Sequence, residues 1–384
     1  MPDSMLHKAA SIADLKLIAQ KRIPSYAFEY LAGGCNSNSC VQRNREALDQ
    51  LRLQPQYLKS STSASLDTEI LGQQYNAPFG VAPLGLSGLI WPRASEYHAT
   101  SARESNIPFI LSSLASISIE EAAKFAGDNF WFQLYPPSDP KIRTDLLRRA
   151  WDSGCRHLVV TIDVPVAGRR PKDIRNGLSV PPKISPRSIW QTMQRPAWAL
   201  ATAFEGMPQF ATMTQYMEGL SSLKDVANYI RNTFKEVVDQ KMLQLIRDEW
   251  QGQLIVKGIL NAEDAERALE AGANALIVSN HGGRQLDAAQ TTIEALTEVH
   301  AAVGSKTTIM VDSGVESGVD IARFIASGAK MVFAGRAFMY GVGALGKHGA
   351  QHTTDLLTAE LYQVMEQLRC PTTVKLPQHL KTTT

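Results

Sequence analysis

Eight short apolar runs rich in β-branched and aromatic residues recur along the chain. They are PFGVAP (78–83), PFILSS (108–113), FWFQLY (130–135), HLVVTID (157–163), LIVKG (254–258), ALIVSN (275–280), TIMVDSG (308–314) and MVFAGR (331–336). Their length and composition are those of buried strands. Between most of them the pattern turns helical, as in NAEDAERALEAGA (261–273) and ESGVDIARFIASGA (316–329). In both, a Gly-Ala follows the last turn, where a glycine stops a helix. Alternation of strand and helix predicts a parallel sheet. Repeated through all the runs, it predicts a closed (β/α)8 TIM barrel.

The pattern breaks at both ends and once in the middle. Residues 1–75 precede the barrel and are expected to pack on its rim; MPDSMLHKAASIADLKLIAQ has an amphipathic helical pattern. Residues 346–384 follow as a C-terminal helix and tail, so the reading is one domain with the barrel over 76–345. Strands four and five lie roughly ninety residues apart, far beyond a βα connection. The Pro- and Arg-rich content of this insertion (165–245) predicts an irregular excursion over the barrel mouth. Its aromatic and aliphatic cluster at 189–210 has three readings: a lid, a subunit contact or a membrane-surface patch. A lid or subunit contact ranks ahead of the membrane.

Composition narrows the class. The 384 residues are 44% hydrophobic and 20% charged, ordinary for a globular protein. A net charge of +2 with dispersed basic residues points away from nucleic acid. Cys35, Cys40, Cys155 and Cys370 form no CxxC pair; without a signal peptide they read as reduced thiols in a cytoplasm. No run is long and apolar enough to span a bilayer.

Chemistry enters at the strand ends. In such barrels the C-terminal ends of the strands form the mouth. Those ends carry Pro83, Leu84 and Gly85, then Ser112, Gln133 with Tyr135, Thr161 with Asp163, Lys257, Ser279 with His281, Asp312 with Gly314, and Gly335 with Arg336. Lys257 and Gln133 interrupt apolar runs and need partners if buried. SNHGGRQLD (279–287) delivers a histidine and an arginine across a flexible Gly-Gly. His281 is a candidate general base, Asp163 its orienting carboxylate, and Arg284 a fork for a substrate carboxylate. No His-x-x-x-His or carboxylate cluster points to a metal. DSGVESG and AGRA put glycine-flanked amides, helix N-termini and Arg336 after strands seven and eight, the usual phosphate position.

With these motifs in order, the chain resembles the FMN-dependent L-2-hydroxy acid dehydrogenase and oxidase family. That family includes glycolate oxidase, lactate oxidase, flavocytochrome L-lactate dehydrogenase and mandelate dehydrogenase. SNHGGRQLD carries the resemblance, supported by YLAGG, VAPLG, LSSLAS, FWFQLY, TIDVPVAGRR, IVKGI, VDSG and AGRA along nearly the whole chain. It implies FMN as cofactor, a small L-2-hydroxy acid as substrate, a homo-oligomer, and a quinone, protein or oxygen as electron acceptor. RPAWALATAFEGMPQF looks closest to a dehydrogenase branch with some membrane-bound members, which allows peripheral membrane contact through 189–210.

By position, the resemblance implies that Tyr30, Arg170 and Arg284 meet the substrate carboxylate and Tyr135 its hydroxyl. Lys257 would lie at flavin N1 and O2, with Gln133, Thr161, Ser112 and Ser279 on the ring and ribityl chain. The 83–85 backbone would face N5, Gly314, Gly335 and Arg336 would hold the phosphate, and Asp312 would also belong to the cofactor site. Departures from the glycolate-oxidase pattern are Gly85, Leu114, Ala167 and Glu316. Leu114 and Ala167 make smaller walls, which implies room for lactate or longer acids. Glu316 stands where the family usually has a phosphate-binding arginine; it is expected to turn outward, with FMN held more weakly. Against the dehydrogenase reading stand an oxidase, a distant FMN barrel such as type 2 isopentenyl diphosphate isomerase, and a non-catalytic flavin-binding scaffold.

Overall fold

A computed structural model describes residues 8–58, 63–178, 185–220 and 222–381. All the apolar runs become strands of one closed parallel barrel. We number them β1 (Phe79–Val81), β2 (Phe109–Ser112), β3 (Phe130–Leu134), β4 (His157–Thr161), β5 (Gln253–Ile259), β6 (Ala275–Val278), β7 (Thr308–Asp312) and β8 (Met331–Ala334). They pair in chain order and β8 closes on β1. The two glycine stops behave as expected: Gly272 and Gly328 follow their helices with φ of +88° and +107°, a conformation that a Cβ would penalise.

Side chains two apart on a strand share a face, and this sorts the barrel into layers. Ile110, Trp131, Val159, Ile255, Ile277, Met310 and Phe333 point inward and form one apolar cluster. A short hairpin, Thr68–Ile70 with Gln73–Tyr75, closes the floor below them. Its Tyr75 joins the cluster, and the Trp131 indole N–H donates to the Tyr75 hydroxyl at 3.0 Å. The alternate strand residues, such as Phe132, Val160, Val256 and Val311, pack outward in the larger core under the helices.

The N-terminal segment forms α1 (Ile12–Arg22), α2 (Ser25–Ala32) and α3 (Ser39–Gln50). Residues 1–7, the start of the expected first helix, lie outside the described residues. Helix α1 buries Ile12, Leu15 and Ala19. It lies close on the helix that follows β8: a Cβ on Gly343 would sit 3.2 Å from that of Ala19. This contact places Lys16 of α1 beside the barrel mouth.

The insertion differs from the irregular excursion expected. It holds helices Pro171–Arg175, Pro186–Met193, Pro196–Glu205, Leu223–Thr233 and Gln240–Glu249. Three of them carry proline in the first turn, where its missing N–H has no intrahelical role and its fixed φ suits the helix. The prolines thus start helices instead of breaking them. Within 189–210 the indole N–H of Trp198 is buried, donating to the carbonyls of Leu89 and Ile90 at 3.3 and 3.1 Å. The opposite side leaves Trp190, Met193, Leu200, Phe204 and Met207 exposed, Phe204 by 86%. No described residue of 189–210 lines the cavity at the mouth; residues of the insertion within 165–170 and 227–238 do. The cluster at 189–210 therefore stands outside the cavity wall.

Candidate active site

A cavity of about 720 Å³ opens at the C-terminal ends of the strands, within the range of ligand pockets. Above the apolar cluster, the next inward step on each strand is mostly polar: Ser112, Gln133, Thr161, Lys257, Ser279 and Asp312. All of these are buried. Lys257 is satisfied within the chain, with Nζ 2.8 Å from Asp312 Oδ2 and 2.7 Å from Ser279 Oγ. Both side-chain amide atoms of Gln133 and the Thr161 hydroxyl are buried without a partner among the described residues. Burying such groups unpaired is costly, so this layer is shaped for a polar ligand.

The loop after β6 explains the joined histidine and arginine. His281, Gly282 and Gly283 have consecutive positive φ values of 57°, 63° and 72°. For His281 this is strained backbone, held by its surroundings. Its N–H donates to Ser279 Oγ at 3.0 Å. Asn280 exchanges amide hydrogen bonds with Asn44 of α3 at 2.9 and 2.7 Å. Asp287 accepts from the backbone N–H groups of Ser37 and Cys40 at 3.0 and 2.9 Å. Glycines permit the contact: a Cβ on Gly34 would come within 2.5 Å of the Gly283 carbonyl, and Cys35 N–H donates to that carbonyl at 2.9 Å. The polar ends of SNHGGRQLD therefore fix the loop, and its middle faces the cavity.

His281 Nδ1 lies 2.9 Å from Asp163 Oδ1. With Nδ1–H donated to the carboxylate, neutral His281 presents its Nε2 lone pair to the cavity. Nε2 is 3.5 Å from the Tyr135 hydroxyl. Burial pushes the Asp163 carboxyl up, but the charge and hydrogen bond of His281, with Lys257 behind, outweigh it and the net pKa is lowered. Gly258, at φ +107° in a bulge of β5, makes room for this carboxylate. A Cβ there would fall 2.7 Å from Asp163 Cβ. Burial raises the Tyr135 phenol, and the Asp163 charge adds to that, so it stays a neutral hydroxyl.

Arg284 lies under the same opening. Its Nη1 donates to the carbonyls of Tyr30 and Gly33 at 2.8 and 2.9 Å, and its guanidinium sits 4.9 Å from the Tyr30 ring centre. Arg170 stands 5.6 Å from the same ring and is paired with Asp173 at 3.3 Å. Burial lowers the Arg284 pKa to about 10, with Arg170 and Arg336 contributing in the same direction against Tyr30 and Asp173. It remains protonated near neutrality, so the cluster is a desolvated positive site suited to an anion.

Pro83, Leu84, Gly85, Ser112, Tyr30, Tyr135, Thr161, Arg170, Lys257, His281, Arg284, Asp312, Gly314, Gly335 and Arg336 all line the cavity. Asp163 and Ser279 stand behind His281 and Lys257, and Gln133 lies in β3 beside Ser112. Leu114 and Ala167 also line it. A Cβ on Gly85 would meet Leu114 at an ordinary 3.5 Å, so this position is open. Glu316 corrects an expectation. It does not turn away to solvent: it lines the cavity and faces Lys16, with Oε1 3.8 Å from Nζ. Sequence reading missed Lys16, Arg45, Ile230, Phe234 and Val238, all on the cavity wall. No local motif marks them, because distant packing brings them there.

The profile of a family described as FMN-dependent dehydrogenase matches residues 19–382. The chain belongs to that family. L-lactate dehydrogenase of Xanthobacter autotrophicus is 37% identical over 357 residues, covering 93% of this chain and 92% of that one. L-lactate dehydrogenase of Pseudomonas syringae is also 37% identical over 357 residues, with 93% and 94% covered. Among solved structures, a monotopic membrane protein, (S)-mandelate dehydrogenase, superposes with a TM-score of 0.92 at 34% identity, covering 97% of this chain and 99% of that one. A mandelate oxidase superposes with a TM-score of 0.81 at 32% identity, with 97% and 99% covered. FMN is the cofactor of this family member. The donor set fits it: unpaired amide and hydroxyl groups at Gln133 and Thr161, a buried cation at Lys257, and an anion-suited end at Gly314, Gly335 and Arg336.

Proposed function

We propose that this FMN-dependent dehydrogenase oxidises an L-2-hydroxy acid, L-lactate or a close relative, to the 2-oxo acid. The observation that carries the proposal is the His281–Asp163 pair, whose open Nε2 faces the same space as Tyr135 and the buried Arg284. Arg284 and Arg170 bind the substrate carboxylate with Tyr30, which fixes the hydroxyl-bearing carbon relative to His281. Tyr135 donates to or accepts from the substrate hydroxyl. His281 Nε2 takes a proton, from the hydroxyl as Cα–H leaves as hydride or from Cα itself; both routes use one base. The imidazolium so formed is offset by Asp163. Bound FMN supplies the two-electron acceptor. Gln133, Thr161, Ser112 and Ser279 would hold its ring and ribityl chain, with Lys257 as the cation beside the ring and the 83–85 backbone against it. Asp312 keeps Lys257 in place. Gly314, Gly335 and Arg336 would receive the phosphate.

The electrons pass to a quinone or protein acceptor, as the word dehydrogenase in the names of the relatives supports. The mandelate oxidase likeness favours oxygen as the second reading. The same proposal includes a homo-oligomer, as the family resemblance implies, and a cytoplasmic location, which the four unpaired cysteines support. It also includes peripheral contact with a membrane through the exposed apolar face of 189–210. Two observations support that contact: Trp190, Phe204 and Met207 are exposed, and the mandelate dehydrogenase is named a monotopic membrane protein. Among the described residues no helix is long and apolar enough to cross a membrane.

The test has two arms. Without oxygen, L-lactate added to the purified protein should bleach its yellow flavin; in air-saturated buffer, turnover with dichlorophenolindophenol should exceed peroxide formation. A flavin that no 2-hydroxy acid bleaches would overturn the reading; peroxide at the dye rate would move the protein to the oxidases.

A further inference from the structure

Where most of the family is expected to hold the FMN phosphate with an arginine at position 316, this chain has a glutamate. The cations left at that end of the cavity are Arg336, Arg45 and Lys16. Two of them are largely committed. Arg336 donates from Nε to Leu31 O and from Nη2 to Gly33 O and Gly282 O, at 3.1, 2.9 and 2.8 Å, so only Nη1 has no hydrogen bond among the described residues. Arg45 donates from Nη1 to Gly314 O and Asp320 Oδ2, at 2.5 and 2.6 Å, and its Nη2 pairs with Asp49. Lys16 differs. Its ammonium lies 5.6 Å from the Tyr340 ring centre and 3.8 Å from Glu316, and among the described residues it makes no hydrogen bond.

We infer that Lys16 supplies the phosphate-binding cation that position 316 lacks, and that Glu316 holds Lys16 at that end of the cavity. The inference rests on the phosphate lying after β7 and β8. A carboxylate at 316 facing the cavity would repel a phosphate of roughly −1.5 to −2 charge. Opposite a lysine it forms a loose ion pair, close enough to orient a flexible side chain and too long to saturate its donors. All three ammonium N–H groups stay available for phosphate oxygens. Helix α1 brings the lysine there through its packing on the helix after β8, so the cation has moved from a cavity loop to the N-terminal segment. The weakened FMN binding expected from Glu316 is then offset.

Fluorescence titration of the apoprotein with FMN and with riboflavin, which lacks the phosphate, tests this. Lys16→Met should weaken FMN on the order of ten- to a hundredfold, the size of one charged hydrogen bond, and leave riboflavin unchanged. Lys16→Glu should weaken FMN further. The swapped double variant Lys16→Glu/Glu316→Arg should return FMN affinity close to the parent, because the cation is restored from the other side. Arg336→Met reports on the phosphate position itself, with riboflavin binding showing that the variant is folded. If Arg336→Met lowers the FMN preference over riboflavin and Lys16→Met does not, the lysine assignment is wrong while the phosphate position stands. If neither changes that preference, both are wrong. Failure of the swap to recover any affinity would also overturn the pairing.

Discussion

The floor and the mouth of the barrel are built from the same strands, two residues apart, and end in opposite states. At the floor, polar groups are few and mostly used inside the chain: the Trp131 indole is bonded to Tyr75 and stacked on His157 at 4.5 Å between ring centres. His157 Nε2 is the floor's exception. At the mouth, Gln133 and Thr161 are equally buried and have no partner among the described residues, His281 sits in strained backbone, and Arg284 is desolvated. One step along β3, from Trp131 to Gln133, passes from a satisfied core to an unsatisfied one. The difference teaches where a ligand belongs: a folded chain tolerates unpaired buried groups where binding will pair them.

Five substitutions sharpen or break this contrast. The largest effect is expected at the mouth. His281→Gln should retain FMN and reduce it on the order of 10²- to 10⁴-fold more slowly with L-lactate, the usual contribution of a general base. Anaerobic rapid-mixing absorbance checks it; reduction near the parent rate would remove His281 as base. At the floor, Trp131→Ala should cost ~3–5 kcal/mol of stability, read by denaturant unfolding, while turnover per folded molecule persists. Gly258→Ala should lower turnover about a hundredfold by displacing Asp163, with FMN still bound. Unchanged turnover would mean that the Asp163 position is not critical.

The smallest effect is in pH. Burial holds the floor's His157 at a pKa of about 4 against an ordinary 6.5, and His98, buried beneath the helix after β8, behaves alike. Each has a folded pKa below its unfolded one, so between pH 6.5 and 4 the unfolded chain binds more protons. Stability therefore falls on acidification through that window, by up to ~1.4 kcal/mol per pH unit for each histidine. Melting curves of the apoprotein from neutral to acid pH should show this, and His157→Gln should make the decline shallower. A decline of equal slope in that variant would separate the floor from the acid response.

The barrel was legible because buried parallel strands leave apolar β-rich runs and helices leave a different period. The mouth was partly legible for a related reason: Lys257 and Gln133 break those runs, and only a cavity or a partner makes that tolerable. What was illegible depended on distance or on reading one residue in two ways. Prolines 171, 186 and 196 resemble helix breakers in sequence and are helix starters in space. Lys16 carries no motif, and only packing of α1 brings it to Glu316. Asp287 ends SNHGGRQLD without any role legible in the sequence; its carboxylate pins the loop to the backbone of Ser37 and Cys40.

Gln133 tests the contrast most directly. Gln133→Leu keeps a similar volume and removes the two unpaired polar atoms. If the mouth is a layer left incomplete until FMN binds, the apoprotein of this variant should melt higher than the parent apoprotein. Its FMN affinity should fall about tenfold or more, as for loss of hydrogen bonds to a ligand. An apoprotein that melts lower, with FMN affinity unchanged, would contradict the account.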